Sequence, residues 1–86
     1  MFNGIALSSQ FEKGRISGNI TISFSELLFT DNEGKTYKLP LKNIEITQGG
    51  AGNRYVYFKH QSQPNITIYT DDKRMLTHKN NFNSSH

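Results

Sequence analysis

Apolar and β-branched residues in this chain come in short runs about ten residues apart, each bounded by Gly, Asn, Asp or Pro, which is the rhythm of an all-β sandwich or barrel. A helix would need a longer stripe at roughly 3.6-residue spacing, and no such stripe interrupts the runs. Residues 15–23 show the pattern most clearly. Ile16, Gly18, Ile20 and Ile22 fall on one side of an extended chain, and Ser17, Asn19, Thr21 and Ser23 on the other. Further runs cover 4–8, 26–30, 35–39, 44–48, 54–60 and 65–70.

The punctuation between runs is as informative as the runs. Asp31-Asn32-Glu33-Gly34 predicts a hairpin, with Asp and Asn starting the turn and Gly34 taking positive φ in a type I turn with a bulge. Pro40 ends the second arm because it has no N–H to give to a ladder. The stretch 49–53, Gly-Gly-Ala-Gly-Asn, predicts a mobile loop, since it has almost no side chain to hold it. Residues 54–60 and 65–70 predict a second hairpin with a longer connection. Beyond Thr70, Asp71 or Asp72 is placed to cap a helix whose first turns hold Met75 and Leu76. The resulting expectation is one domain over 1–78 and a polar tail or linker start over 79–86.

With 86 residues and 34% hydrophobic content the chain can bury one thin core. It has no Cys, so neither a disulfide framework nor a thiolate zinc site can support it. No run approaches the ~20 apolar residues of a spanning helix, and residues 1–4 lack the charged and apolar parts of a signal peptide. A soluble, cytoplasmic chain is the expectation. Ten Lys and Arg against seven Asp and Glu are interleaved along the sequence, which predicts a mixed-charge surface rather than a basic patch.

Catalytic constellations are absent from the pattern. Zinc hydrolysis needs ligands at helical spacing with a base beside them, whereas His60, His78 and His86 are far apart and read as exposed loop residues. No GxSxG elbow accompanies the serines, and Asp71-Asp72, the sole adjacent acidic pair, suits a helix N-terminus better than acid–base work. Gly49-Gly50-Ala51-Gly52 contains GxxG, yet Asn53-Arg54 and a strand follow it where a phosphate loop would continue with Gly-Lys-Ser/Thr and a helix. No cofactor and no metal are expected. Arg54-Tyr55-Val56-Tyr57-Phe58-Lys59 interleaves aromatic and basic residues as a stacking platform for single strands would. In so small a domain Val56 and Phe58 are the expected core side of that strand, with Tyr55 and Tyr57 partly exposed.

Several features in order resemble a family: the alternating 18–23 strand, Glu26-Leu27-Leu28-Phe29 before the Asn32-Glu33-Gly34 turn, Tyr37-Lys38-Leu39-Pro40-Leu41 with Ile44, Gly49-Gly50 through Arg54, and the aliphatic strand ending at Thr70-Asp71-Asp72. Together they resemble the GRAM-like or PH-like accessory domain found ahead of the catalytic domain in membrane-associated, HtpX-like zinc metallopeptidases. The resemblance implies a mainly β fold, a strongly bent antiparallel sheet or partly open barrel of about seven strands with a short C-terminal helix. It also implies a bacterial, membrane-tethered parent protein whose zinc site lies in another domain, so no catalytic residue carries over.

The function expected from these readings is that of a non-catalytic accessory or binding domain, acting in protein contact, substrate positioning or membrane proximity. Its partner would be a protein or the adjacent peptidase domain, with a membrane surface second and nucleic acid disfavoured. A single-strand-binding β barrel is the alternative. The expected contact surface is Gly49, Gly50, Gly52, Asn53, Arg54, Tyr55, Tyr57 and Lys59.

Overall fold

The computed structural model describes residues 2–50, 52 and 54–72. It has seven strands: β1 Phe2–Leu7, β2 Arg15–Ile22, β3 Glu26–Asp31, β4 Thr36–Pro40, β5 Glu45–Gly49, β6 Tyr55–Lys59 and β7 Thr67–Thr70. All seven belong to one sheet in the order β4-β3-β2-β1-β7-β6-β5, and every neighbouring pair is antiparallel. The mainly β fold read from the alternating runs is the fold observed.

Connectivity makes the sheet curl. β4 and β5 are its two edges, yet only residues 41–44 join them. Laid flat, seven strands at ~4.8 Å spacing would hold the edges ~29 Å apart. The link from Pro40 to Glu45 reaches at most ~18 Å. The sheet therefore bends round into a half-barrel. Gly18, paired with Gly4, lets it bend: a Cβ on Gly18 would run into the Thr30 carbonyl oxygen and lie 2.8 Å from Asp31 Cα.

The concave face is the core. Ile20, Leu27, Phe29, Leu39, Val56, Phe58 and Ile68 are fully enclosed there, with Leu41 and Ile66 closing in from the loops. β2 keeps its predicted alternation, since Ile16, Ile20 and Ile22 turn inward while Ser17, Asn19 and Thr21 are exposed. The loop 8–14 lays Phe11 against the core. It is drawn tight by Ser8 N–H donating to the Gly14 carbonyl and Gly14 N–H donating to Phe11, both at 3.0 Å. The Phe11 ring it carries meets Tyr37 edge-on at 5.9 Å.

The hairpin between β3 and β4 forms as the sequence predicts, with Gly34 at φ 88°. Asp31 is buried, and one carboxylate oxygen accepts from the N–H groups of Glu33 and Lys35 at 2.9 Å each. The buried charge is thus bonded to backbone donors, as a desolvated carboxylate must be.

Two expectations need correction. Gly49 is not in a loop: it is the last residue of β5, paired with Tyr55. His60 is not an exposed loop histidine, being only 8% accessible. Ser62 N–H donates to His60 Nδ1 at 3.0 Å, which leaves Nε2 as the protonated nitrogen donating to the Lys42 carbonyl at 2.9 Å. The ring is a strut between the β6–β7 loop and the β4–β5 link, a role that spacing along the chain cannot reveal. The helix expected around Met75 and Leu76, the tail 79–86, His78, His86 and Asn53 lie outside the described residues. Among the described residues, no helix is long and apolar enough to cross a membrane.

Candidate functional site

β6 and β7 alternate strictly. Val56, Phe58 and Ile68 take the inner positions, so Tyr55, Tyr57 and Tyr69 must stand on the outer face, where all three are half-buried. Tyr57 pairs across the strands with Tyr69, and their rings lie 5.4 Å apart at 40°. Tyr55 meets Tyr69 edge-on at 5.3 Å and sits 6.3 Å from Tyr57. Three phenols thus form one continuous patch on the convex side of the sheet.

The glycines after β5 are part of that patch. A Cβ at Gly49 would come within 2.9 Å of the Tyr57 ring, and one at Gly50 within 2.5 Å of the Tyr55 ring. The two rings lie down over bare backbone. Gly50 also has φ 80°, so a larger residue there would be strained as well as crowded. Tyr55, Tyr57, Gly49 and Gly50 of the expected contact surface are therefore physically one surface, which Gly52 does not touch.

Beside the patch runs a shallow groove of about 680 Å³ that crosses β2, β1, β7 and β6. Its floor is Gly4, Ile5, Ser17 and Gly18, where short side chains and the bend of the sheet leave a hollow. Tyr55 and Tyr69 form one wall, while Arg15 and Asn32 stand opposite. Asn3, Asn19 and Asp71 add polar groups along its length. Asn32 is held there by its backbone, which donates to the Ser17 carbonyl at 3.0 Å. Thr70 fixes the end of β7, donating to the Asn3 carbonyl at 2.6 Å and accepting from Asp72 N–H at 3.1 Å.

Of the residues expected at a contact surface, Gly49, Gly50, Tyr55 and Tyr57 come together. Arg54 and Gly52 are exposed next to them but outside the groove lining. Lys59 lies at the far end of β6, in register with Glu45 of β5 and outside the groove lining. Tyr69, Arg15 and the three asparagines were not anticipated. The outward phase of Tyr69 was available from its alternation with Ile68 and Thr70, but their convergence depends on the order β2-β1-β7-β6, which local sequence does not encode.

One more exposed feature stands apart. Phe24, 92% accessible, rides the turn between β2 and β3. That turn is firm, because Ser23 N–H donates to the Glu26 carbonyl at 2.8 Å and Leu41 N–H to the Ser25 carbonyl at 3.0 Å. Among the described residues no three His, Cys, Asp or Glu side chains are grouped as a metal site would require. No family model, curated protein or solved structure matches this chain.

Proposed function

We propose that this chain is a non-catalytic binding domain whose working surface is the convex side of the sheet around Tyr55, Tyr57 and Tyr69. The observation that carries the reading is the position of these rings. A small domain short of apolar core has three large aromatic side chains facing away from it, two of them over bare glycine backbone, beside a polar groove. Tyrosines with an apolar body and a polar tip are the side chains that binding surfaces favour, because they give large contact area for little conformational entropy. The strands beneath them are hydrogen-bonded on both sides for β7 and β6, so the surface is rigid before any partner arrives. Attachment to a larger protein as an accessory domain is compatible with this role.

The test is a binding panel of neutral hexasaccharides, single-stranded oligonucleotides, anionic vesicles and extended peptides. Each is titrated against the wild-type chain and against the variant carrying Tyr55→Ser, Tyr57→Ser and Tyr69→Ser. The reading expects binding by the wild type and its loss in a variant that keeps a β circular-dichroism spectrum. Binding left intact in the triple variant, or a wild type that binds nothing in the panel, defeats it.

A further inference from the structure

Resting on the binding surface proposed above, we infer that the groove beside the tyrosines takes a neutral, linear oligosaccharide. Three features of the lining point to that chemistry. The first is charge. Among the described residues, Arg15 and Asp71 are the only ionisable groups lining the groove other than the phenols, so cation and anion offset one another. A polyphosphate strand would need a run of unopposed cations to hold its backbone.

The second is the kind of hydrogen bonding available. Asn3, Asn19 and Asn32 each present an amide N–H pair and a carbonyl oxygen, and Ser17 a hydroxyl. Sugar hydroxyls both donate and accept, so they can use both halves of each amide. A phosphate oxygen only accepts, and would leave every amide carbonyl to water. Asp71 as an acceptor and Arg15 as a forked donor fit vicinal hydroxyls in the same manner.

The third is shape. From β2 to β6 the groove crosses three strand spacings, ~14 Å at ~4.8 Å each, which is room for a few sugar rings. Tyr55 and Tyr69 flank it, offering aromatic carbon to the C–H faces of those rings. An extended peptide is disfavoured for a separate reason. The groove lies across interior strands whose backbone groups are already paired within the sheet, whereas strand addition needs a free edge.

The experiment is an amide-resolved NMR titration of the intact chain with cellohexaose and with chitohexaose, each to about 10 mM so that a dissociation constant of about 1 mM still saturates. Saturable shifts are expected at Asn3, Ile5, Ser17, Asn19 and Tyr69. Affinity should change less than about twofold between low and high salt, since no counterions are released. Asn19→Ala, an exposed site outside the core, should weaken binding by about fivefold, and Tyr69→Ala by about tenfold or more. Lys38→Ala, exposed on the edge strand β4 and outside the groove lining, should leave it unchanged.

Absence of shifts with both hexasaccharides overturns the inference, as does saturation that survives Asn19→Ala and Tyr69→Ala unaltered. A parallel titration with a thymidine decanucleotide separates the two levels. Shifts of the same residues that fade with salt would defeat the glycan assignment and leave the tyrosine surface standing. If none of the three probes moves the groove residues, and the wider panel is also silent there, both fall together.

Discussion

Two trios of aromatic rings occupy opposite sides of the same sheet. Phe11, Tyr37 and Phe29 meet at centroid distances of 5.9 and 6.3 Å, and Tyr55, Tyr57 and Tyr69 at 5.3 to 6.3 Å. Ring geometry alone would call them equivalent. Their backing differs. The first trio is continuous with the core, since Phe29 is fully enclosed and Phe11 and Tyr37 pack against the buried cluster. The second lies over Gly49 and Gly50 and looks outward. The comparison teaches that which face of the strand a ring sits on, more than how it stacks, separates rings packed on the core from rings left half-open to solvent.

The strongest way to break the comparison is to truncate one ring from each trio. Phe29→Ala should lose about 3–5 kcal/mol of unfolding free energy, the usual cost of emptying a buried phenylalanine site. A domain of this length holds roughly 4–13 kcal/mol in total, so the variant should sit close to unfolding in urea denaturation at neutral pH. Tyr69→Ala should cost far less. Equal losses for the two variants would mean that both trios serve stability, and the functional reading of the outer one would lose its basis.

Next in size is the bend that separates the two faces. Gly18→Ala brings a methyl group against the Thr30 carbonyl and Asp31 Cα, which are backbone atoms and cannot turn aside. A loss of about 2–3 kcal/mol is expected, of the order seen for overpacked sites. Thermal melts of this variant that overlay the wild type would show that the close pairing of β2 with β3 is not needed to keep the sheet curled. His60→Ala follows. Removing the ring leaves the Lys42 carbonyl and the Ser62 N–H without their partner in a nearly closed site, at about 1–2 kcal/mol. His60→Gln, able to satisfy one of the two groups, should recover part of that loss.

Much of this architecture was legible from residue order. The seven runs, the positive φ of Gly34, the inward Val56 and Phe58 and the outward Tyr55 and Tyr57 all follow from period-two alternation and turn chemistry, which are local. What was not legible is whatever distant segments must meet to create. Arg15 reads as one scattered cation until β1 comes to lie between β2 and β7 and sets it across a groove from Tyr69. His60 reads as a loop residue until the short 41–44 link swings beneath it. Gly49 reads as linker, although its missing side chain is what lets Tyr57 lie flat. In each case the decisive partner is far along the chain.

The smallest expected effect sharpens the comparison furthest, because it asks how much the outer trio stabilises at all. Tyr57 and Tyr69 are directly opposite across β6 and β7. Cross-strand aromatic pairs of this kind couple by about 0.5–1 kcal/mol. A double-mutant cycle of Tyr57→Ala and Tyr69→Ala, read by chemical denaturation, should return a coupling in that range, with each single change costing about 1 kcal/mol or less. The same cycle read by binding should give a larger number, since a ligand seated on both rings loses its whole platform when either is cut. Coupling that is equal in the two readouts would mean the rings recognise nothing beyond each other, and the outer trio would then be a second, smaller staple on the fold. A coupling that is present in denaturation and clearly larger in binding is what an outer face that also takes a ligand must give.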